Sequence, residues 1–169
     1  MRRVLFCFTQ CLLLVACAQS LLIADRANAQ SAARTVQDFK LVGKWAIECN
    51  QPPSPANEHA EFALTPLGAV WVLNDFGPDY DGMVYRVVDA QRISLDKLSL
   101  RQVLAADETV VLDIVLLKSN DKIRVWLSRT AAGDVLVKDG MIASANRQET
   151  RWAGRCGERW AGRPDLINE

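Results

Sequence analysis

The stretch that decides the fold is ETVVLDIVLLKSNDKIRVWLSR, residues 108–129. Its first half has apolar residues at the even positions 110 to 116, and its second half has them at the odd positions 123 to 127. A period of two places such a set on one face of a β-strand. The short polar link at 119–121 is typical of a hairpin connection. The stretch therefore predicts two antiparallel strands, with Trp126 on the charged outer face of the second.

The same alternation, interrupted by turn residues, recurs along most of the chain. It predicts strands over 43–49, 59–65, 68–74, 83–89, 91–96, 98–105, 108–118, 122–129, 134–138 and 141–145. Because these strands are short and no long helix separates them, we expect an all-β fold, an antiparallel up-and-down β-barrel of about eight to ten strands. The proline-rich stretch at 50–59 lacks ladder donors. It is predicted as a loop at one end of the barrel, a stiff connector or a lid, with His59 at the surface.

The N-terminus carries the pattern of a targeting segment. Residues 1–29 combine two arginines, an apolar stretch and a small-x-small pattern at 27–29, which together predict a secretory signal peptide. One alternative is an uncleaved membrane anchor. The other is a lipoprotein, because LVAC at 14–17 resembles a lipobox whose Cys17 is acylated. We expect a periplasmic or secreted protein, or one anchored in the outer membrane through Cys17; membrane association is expected only with that acylation.

The rest of the chain divides into a polar N-terminal linker at 30–38, a barrel domain at 39–158 and a C-terminal tail at 159–169. Without residues 1–29 the chain keeps 17 basic and 19 acidic residues, since Arg2, Arg3, Arg26 and Asp25 are removed. This balance argues against nucleic-acid binding, which needs a strongly basic face.

Cysteine usage predicts one disulfide. Cys49 and Cys156 are the pair outside the predicted signal peptide, and an oxidising compartment favours a bridge between them. Two free thiols, as metal ligands or nucleophiles, are the alternative, but His59 is the sole histidine that could assist them. The acidic turn at 75–81 lacks the spacing of a calcium loop, and no nucleophile motif is present. We therefore expect no enzyme, no metal and no cofactor.

The stretch DFKLVGKWAIEC, residues 38–49, resembles the opening of the lipocalins, calycin-type small exported β-barrels whose first strand begins Gly-x-Trp. Gly43 and Trp45 match that motif. Avidin-like proteins and periplasmic protease inhibitors share this spacing, and the wider pattern is similar to uncharacterised exported proteins of alphaproteobacteria. The resemblance implies a lipocalin-like barrel whose Trp45 plugs the closed end under an arginine from the last strand. It implies Arg151 in that role, with Arg155 behind it.

Aromatic residues are the candidate ligand contacts. Phe62, Trp71 and Tyr85 lie on apolar faces of predicted strands, and in a closed barrel we expect them to point inward, as ligand contacts or as core. In RWAGRCGERWAGRP at 151–164, glycines disfavour a continuous helix.

That stretch contains Arg-Trp-Ala-Gly-Arg twice, at 151–155 and at 159–163. The first copy is expected to close the fold. The second, with Arg159, Trp160 and Arg163, is expected to be free for a partner, as is Trp126. We therefore expect an exported, non-enzymatic barrel of the cell envelope that binds a small apolar molecule. The alternative is an envelope interaction module with a filled barrel, such as a protease inhibitor or outer-membrane accessory.

Overall fold

The computed structural model describes residues 30–145 and 148–157. The predicted signal peptide at 1–29, with Cys17, lies outside the described residues, and so do Arg159, Trp160 and Arg163 in the tail. In the described part of the chain, no helix has the length and apolar character needed to cross a membrane.

The described chain forms one helix and ten strands. They are α1 (30–38), β1 (Gly43–Ala46), β2 (His59–Leu64), β3 (Val70–Asp75), β4 (Met83–Arg92), β5 (Lys97–Leu104), β6 (Asp107–Ser119), β7 (Lys122–Thr130), β8 (Val135–Lys138), β9 (Met141–Ile142) and β10 (Ala153–Cys156). The strands predicted at 83–89 and 91–96 are one strand, β4, which continues through a register shift between Val87 and Asp89. The sequence did not predict β10.

Eight of these strands close an antiparallel barrel, which confirms the predicted fold class. Strands β1 to β7 pair in sequence order, and β10 lies between β1 and β7. Closure depends on β7, whose first residues pair with β10 while its later residues pair with β8. Strands β8 and β9 therefore form a hairpin that extends the sheet beside the barrel, and they are not among the eight barrel strands.

The residues expected to form a polar linker, 30–38, instead form helix α1. Ala32, Ala33 and Val36 are buried and belong to the same core cluster as the inward-facing side chains of the strands. Their spacing puts them on one side of a helix, and the polar residues between them face outward. Together with Phe39 and Leu41 they close one end of the barrel. The helical spacing of these apolar residues was not apparent from the sequence, because it extends over only nine residues and most of them are polar.

Trp45 occupies the closed end, but its partner is not the predicted Arg151. Trp45 is fully buried, and its Nε1 donates to the carbonyl of Leu41 at 2.8 Å. Arg155 lies directly across from Trp45 in the β1–β10 register, with its guanidinium 4.4 Å from the ring centroid. It also donates to the carbonyl of Val42 at 2.7 Å. Arg151 precedes β10 and lies toward the opposite end, so the closing arginine is Arg155.

The predicted disulfide is confirmed. Cys49, in the turn after β1, is bonded to Cys156 at the end of β10, with an S–S distance of 2.03 Å. The bridge ties the first strand to the last across 107 residues. It therefore secures the seam at which the barrel closes.

The second half of the opening hairpin departs from simple alternation. Val125 pairs with Leu116, but the register then shifts, so Leu127 pairs with Val115. A bulge inserts one extra residue and reverses the faces beyond it. Leu127 was expected inside and lies with the outer face, whereas Ser128 is buried. Trp126 occupies the bulge.

Candidate functional site

A cavity of about 330 Å³ opens at the end of the barrel opposite α1. Inward-facing positions of five strands, β2, β3, β6, β7 and β10, supply most of its apolar wall. The apolar residues of the lining are Ile47, Pro55, Ala60, Phe62, Val72, Ile114, Leu116, Ile123, Val125, Ile142 and Ala153. A barrel of eight strands has room either for packed side chains or for one small ligand.

The cavity exists where small side chains meet an incomplete seam. Ala60 and Ala153 present only methyl groups to it. The pairing of β10 with β7 extends over two residues, Ala153 with Ile123 and Gly154 with Lys122. Beyond that point the non-strand segment 148–151 lines the wall. The small side chains and this short pairing coincide with the position of the cavity.

Eight polar residues line the same cavity: Glu58, Asn74, Gln102, Arg124, Gln148, Glu149, Thr150 and Arg151. Gln102 is almost completely buried, on the inward face of β5. Asn74 lies on the inward face of β3, near the mouth. A buried amide group is costly unless it has a hydrogen-bonding partner. The Gln102 amide therefore favours a bound molecule, or water, that offers polar atoms to it.

Glu58 and Arg151 bring opposite charges to the mouth. The Glu58 carboxyl is reached through the opening, yet protein surrounds it on the other sides. Burial raises its pKa above the ordinary glutamate value, and the charge of Arg151 acts in the opposite direction. Arg151 itself donates to the carbonyl of Ala56. The mouth can therefore pair with either a hydrogen-bond donor or an anionic group of a ligand.

The proline-rich loop at 50–59 is a rigid wall of this mouth. The Asn57 amide donates to the carbonyls of Glu48 and Pro52 at 3.1 Å, and its Oδ1 accepts from the backbone N–H of Glu48 at 2.8 Å. His59 is fully buried beside Asn57, with 3.1 Å between Nε2 and the amide nitrogen. The prediction of a surface His59 was therefore wrong. These contacts favour the stiff connector over the lid and hold Glu58 in position.

The three aromatic candidates for ligand contacts lie in different parts of the barrel. Phe62 lines the cavity, and its role as a ligand contact stays a prediction. Tyr85 is buried in the core but is not part of the cavity lining; burial, followed by the charge of Glu58, raises its pKa. Trp71 pairs with Ala63 and Arg86 on the outer face. The expectation that Trp71 points inward was wrong. The pairing of β3 with β2 places the even-numbered residues of β3 inside the barrel, so Trp71 lies outside.

Trp126 lies on the outer wall among cations. The Lys97 ammonium is 4.6 Å from its ring centroid, and the Arg124 guanidinium is 5.5 Å away. Arg124 also lies 4.8 Å from the Trp152 ring centroid and 3.1 Å from the Glu149 carboxylate. These contacts half-bury Trp126. A partner contact at Trp126 stays a prediction.

Sequence reasoning missed Glu58, Asn74, Gln102 and the closing role of Arg155. Gln102 had left a signal, because a glutamine interrupts the apolar positions of LSLRQVL at 98–104 and blurs its period. Among residues 30–145 and 148–157, no group of three or more histidine, cysteine or acidic side chains is arranged to hold a metal ion. The arrangement is suited to binding, with an apolar interior and a polar mouth.

Fold and cavity together define a closed, eight-stranded antiparallel barrel with a cavity at one end, the general architecture of lipocalin-like barrels. No known protein family, curated protein or solved structure matches the chain.

Proposed function

We propose that this chain is an exported, non-enzymatic protein of the cell envelope that binds one small, largely apolar molecule in the barrel cavity. The observation that carries the proposal is the cavity itself, with its apolar wall and the polar side chains at its lining. Ligand sites commonly have this composition, since apolar surface supplies affinity and a few polar groups set orientation. The cavity supports this function over the alternative of an interaction module with a filled barrel.

The size of the cavity restricts the ligand. A volume of about 330 Å³ is at the lower end of the range for small-molecule sites. It suits a single ring system or one short chain, and not a lipid with two acyl chains. The apolar part would lie against Phe62 and Val72, and a polar end would meet Gln102 or the charged pair Glu58 and Arg151.

Export and kinship with lipocalins are part of the same proposal. The Cys49–Cys156 disulfide supports an oxidising compartment, since such bonds are rare in the cytoplasm. The Gly43-x-Trp45 motif, with Arg155 against the Trp45 ring, supports a relationship with the lipocalins. Likeness to exported proteins of alphaproteobacteria has only the sequence pattern in its favour.

A pair of matched substitutions on β2 tests the ligand site. Ala60→Leu adds three carbon atoms inside the cavity, whereas Ala63→Leu adds the same atoms on the outer face, where Ala63 pairs with Trp71. The probe is naphthalene-2-sulfonate, a fluorescent single ring system with an anionic end, titrated against each protein. We expect Ala60→Leu to weaken dye binding about tenfold or more, since a filled site excludes it, and Ala63→Leu to leave binding unchanged.

Thermal unfolding of both variants accompanies the titration, so that a folded protein is compared in each case. Equal dye binding by the two folded variants, or no dye binding by the unsubstituted protein, would contradict the proposal.

A further inference from the structure

A second concave site lies at the closed end of the barrel, outside the ligand cavity. It is a surface cleft of about 350 Å³ between the link that follows α1, the β4–β5 turn and the end of β6. Three cations line it: Lys40, Arg92 and Lys118. The carboxylates of Asp38 and Asp96 also line it, so the cleft carries one net positive charge.

The three cations are not neutralised by direct ion pairs. Within residues 30–145 and 148–157, no carboxylate lies within 4.0 Å of the charged nitrogens of Lys40, Arg92 or Lys118. The Lys118 ammonium donates to the carbonyl of Phe39 at 2.8 Å. Arg92 donates to the carbonyls of Ser94 and Leu95. Carbonyl groups orient these cations but leave their charge available to an anion.

The Phe39 ring holds two of the cations together. Lys118 Nζ is 5.3 Å and Arg92 Cζ is 5.8 Å from the ring centroid. Burial lowers the pKa of Lys118, and the charges of Arg155, Lys40 and Arg92 lower it further, while Asp121 opposes them. The direction of these effects agrees with a positive potential in the cleft, which an anionic group would relieve.

Apolar side chains project from the same end of the molecule. Leu95 borders the cleft and is 87 % exposed, and Ile93, in the same turn, is 56 % exposed. Leu67, in the β2–β3 turn, is 90 % exposed. That turn lies beside the start of α1, because a Cβ built on Gly68 would be 3.6 Å from the Cγ of Gln30. Exposed aliphatic tips beside cations are typical of surfaces that bind membranes.

The described chain also starts and ends at this end. Residue 30 begins α1, and Gly157 follows Cys156, which pairs with Lys44 at the closed end. In the sequence, the tail with Arg159, Trp160 and Arg163 follows Gly157. Tryptophan is enriched at membrane interfaces, and arginine is common in segments that lie on them. The tail is therefore joined to the barrel at the end that carries the cleft.

We propose that the closed end binds an anionic membrane surface, with the cleft receiving the phosphate of a phospholipid headgroup. Leu95, Ile93 and Leu67 then enter the interfacial layer of the bilayer, and the cavity mouth faces away from it. The headgroup phosphate meets Lys40 and Arg92, whose charges it complements. This inference is independent of the ligand proposed for the barrel cavity, and it requires no acylation of Cys17.

Cosedimentation with vesicles tests the proposal. The chain from residue 30 to 169, which contains every described element, is mixed with phosphatidylcholine vesicles with or without phosphatidylglycerol. Lys40→Gln and Leu95→Ser alter the closed end. Lys138→Gln and Leu136→Ser are matched controls on β8, where both side chains are exposed.

We expect binding to the anionic vesicles and much weaker binding to neutral ones. Lys40→Gln should lower the partition coefficient about fivefold, as expected for one cation near an anionic surface. Leu95→Ser should lower it about tenfold, as expected when a leucine no longer enters the bilayer. The controls should bind as the unsubstituted protein does, and salt should weaken binding.

Three results would overturn the proposal: no vesicle binding, equal binding to neutral and anionic vesicles, or equal losses in the controls and the closed-end variants. Inorganic phosphate separates the two sources of the anion. Phosphate that binds at the cleft while vesicles do not would assign a soluble anion site and contradict membrane docking.

Discussion

Replacing Arg155 with methionine tests how the barrel is closed. Methionine keeps much of the aliphatic stem but removes the guanidinium. That group lies 4.4 Å from the Trp45 ring centroid and donates to the carbonyls of Val42 and Lys40. The matched variant is Arg151→Met, because the sequence resemblance gives Arg151 the same role while the structure does not.

The magnitude follows from the contacts. Arg155 is exposed to water on one side, so each of its two hydrogen bonds contributes about 1 kcal/mol, below the usual range for charged donors. The cation–π contact with the buried Trp45 ring adds about 0.5–1 kcal/mol. We therefore expect Arg155→Met to lower the free energy of unfolding by about 2–3 kcal/mol. Arg151 makes one backbone hydrogen bond, to Ala56, so Arg151→Met should cost about 1 kcal/mol or less.

Urea unfolding, followed by tryptophan fluorescence with the disulfide intact, measures both values. The bridge is present in all three proteins, so it affects their unfolded states alike. A cost below about 0.5 kcal/mol for Arg155→Met would refute the assigned role, since exposed substitutions without such contacts usually fall in that range. An equal or larger cost for Arg151→Met would indicate that Arg151 closes the barrel, as the resemblance implies.

Three further results are expected. Replacing Cys49 and Cys156 together with serine should lower the free energy of unfolding by about 4–5 kcal/mol in the chain-entropy account, because the bridge spans 107 residues; a loss below about 1 kcal/mol in urea would contradict this. Burial lowers the pKa of His59, so the unfolded chain takes up its proton first and stability falls as pH drops below about 6.5. His59→Gln should flatten that part of the stability–pH curve, and an unchanged slope would refute the account. Ile123→Ala should cost about 2–4 kcal/mol and Leu127→Ala clearly less, because the bulge turns Leu127 outward; equal losses would argue against the bulge.

The sequence predicted the fold correctly where a local residue pattern reflected a requirement of the folded barrel. The apolar set at positions 110, 112, 114 and 116 is unbroken, and three of its members, Leu112, Ile114 and Leu116, lie on the inward face of β6 against the core. The disulfide followed from composition, since residues 30–169 offer one cysteine pair. In both cases the residues are compatible with few alternative structures.

The errors arose where a neighbouring strand decides the outcome. β3 is apolar on both faces, so its own pattern does not say whether Trp71 or Val72 points inward; the pairing of Val72 with Phe62 does. One inserted residue at Trp126 likewise reversed the faces of Leu127 and Ser128, and alternation gives no warning of a bulge.

The candidate site was the least predictable part. Glu58 lies in a loop, and Gln102 reads as an irregularity in a strand, so neither shows a functional pattern on its own. Their meaning depends on barrel closure, which brings β2, β5 and the segment before β10 around one space. Only the register of β10 against β1 decides that Arg155, and not Arg151, contacts Trp45.

Native mass spectrometry of the protein recovered from its own cell envelope tests the central claim most directly, since it detects a molecule held in the cavity without prior choice of probe. The account predicts one small bound molecule per chain in the unsubstituted protein and in Ala63→Leu, and its loss in Ala60→Leu. Repeated recovery of the folded, unsubstituted protein with no bound molecule, or equal retention by Ala60→Leu, would contradict it.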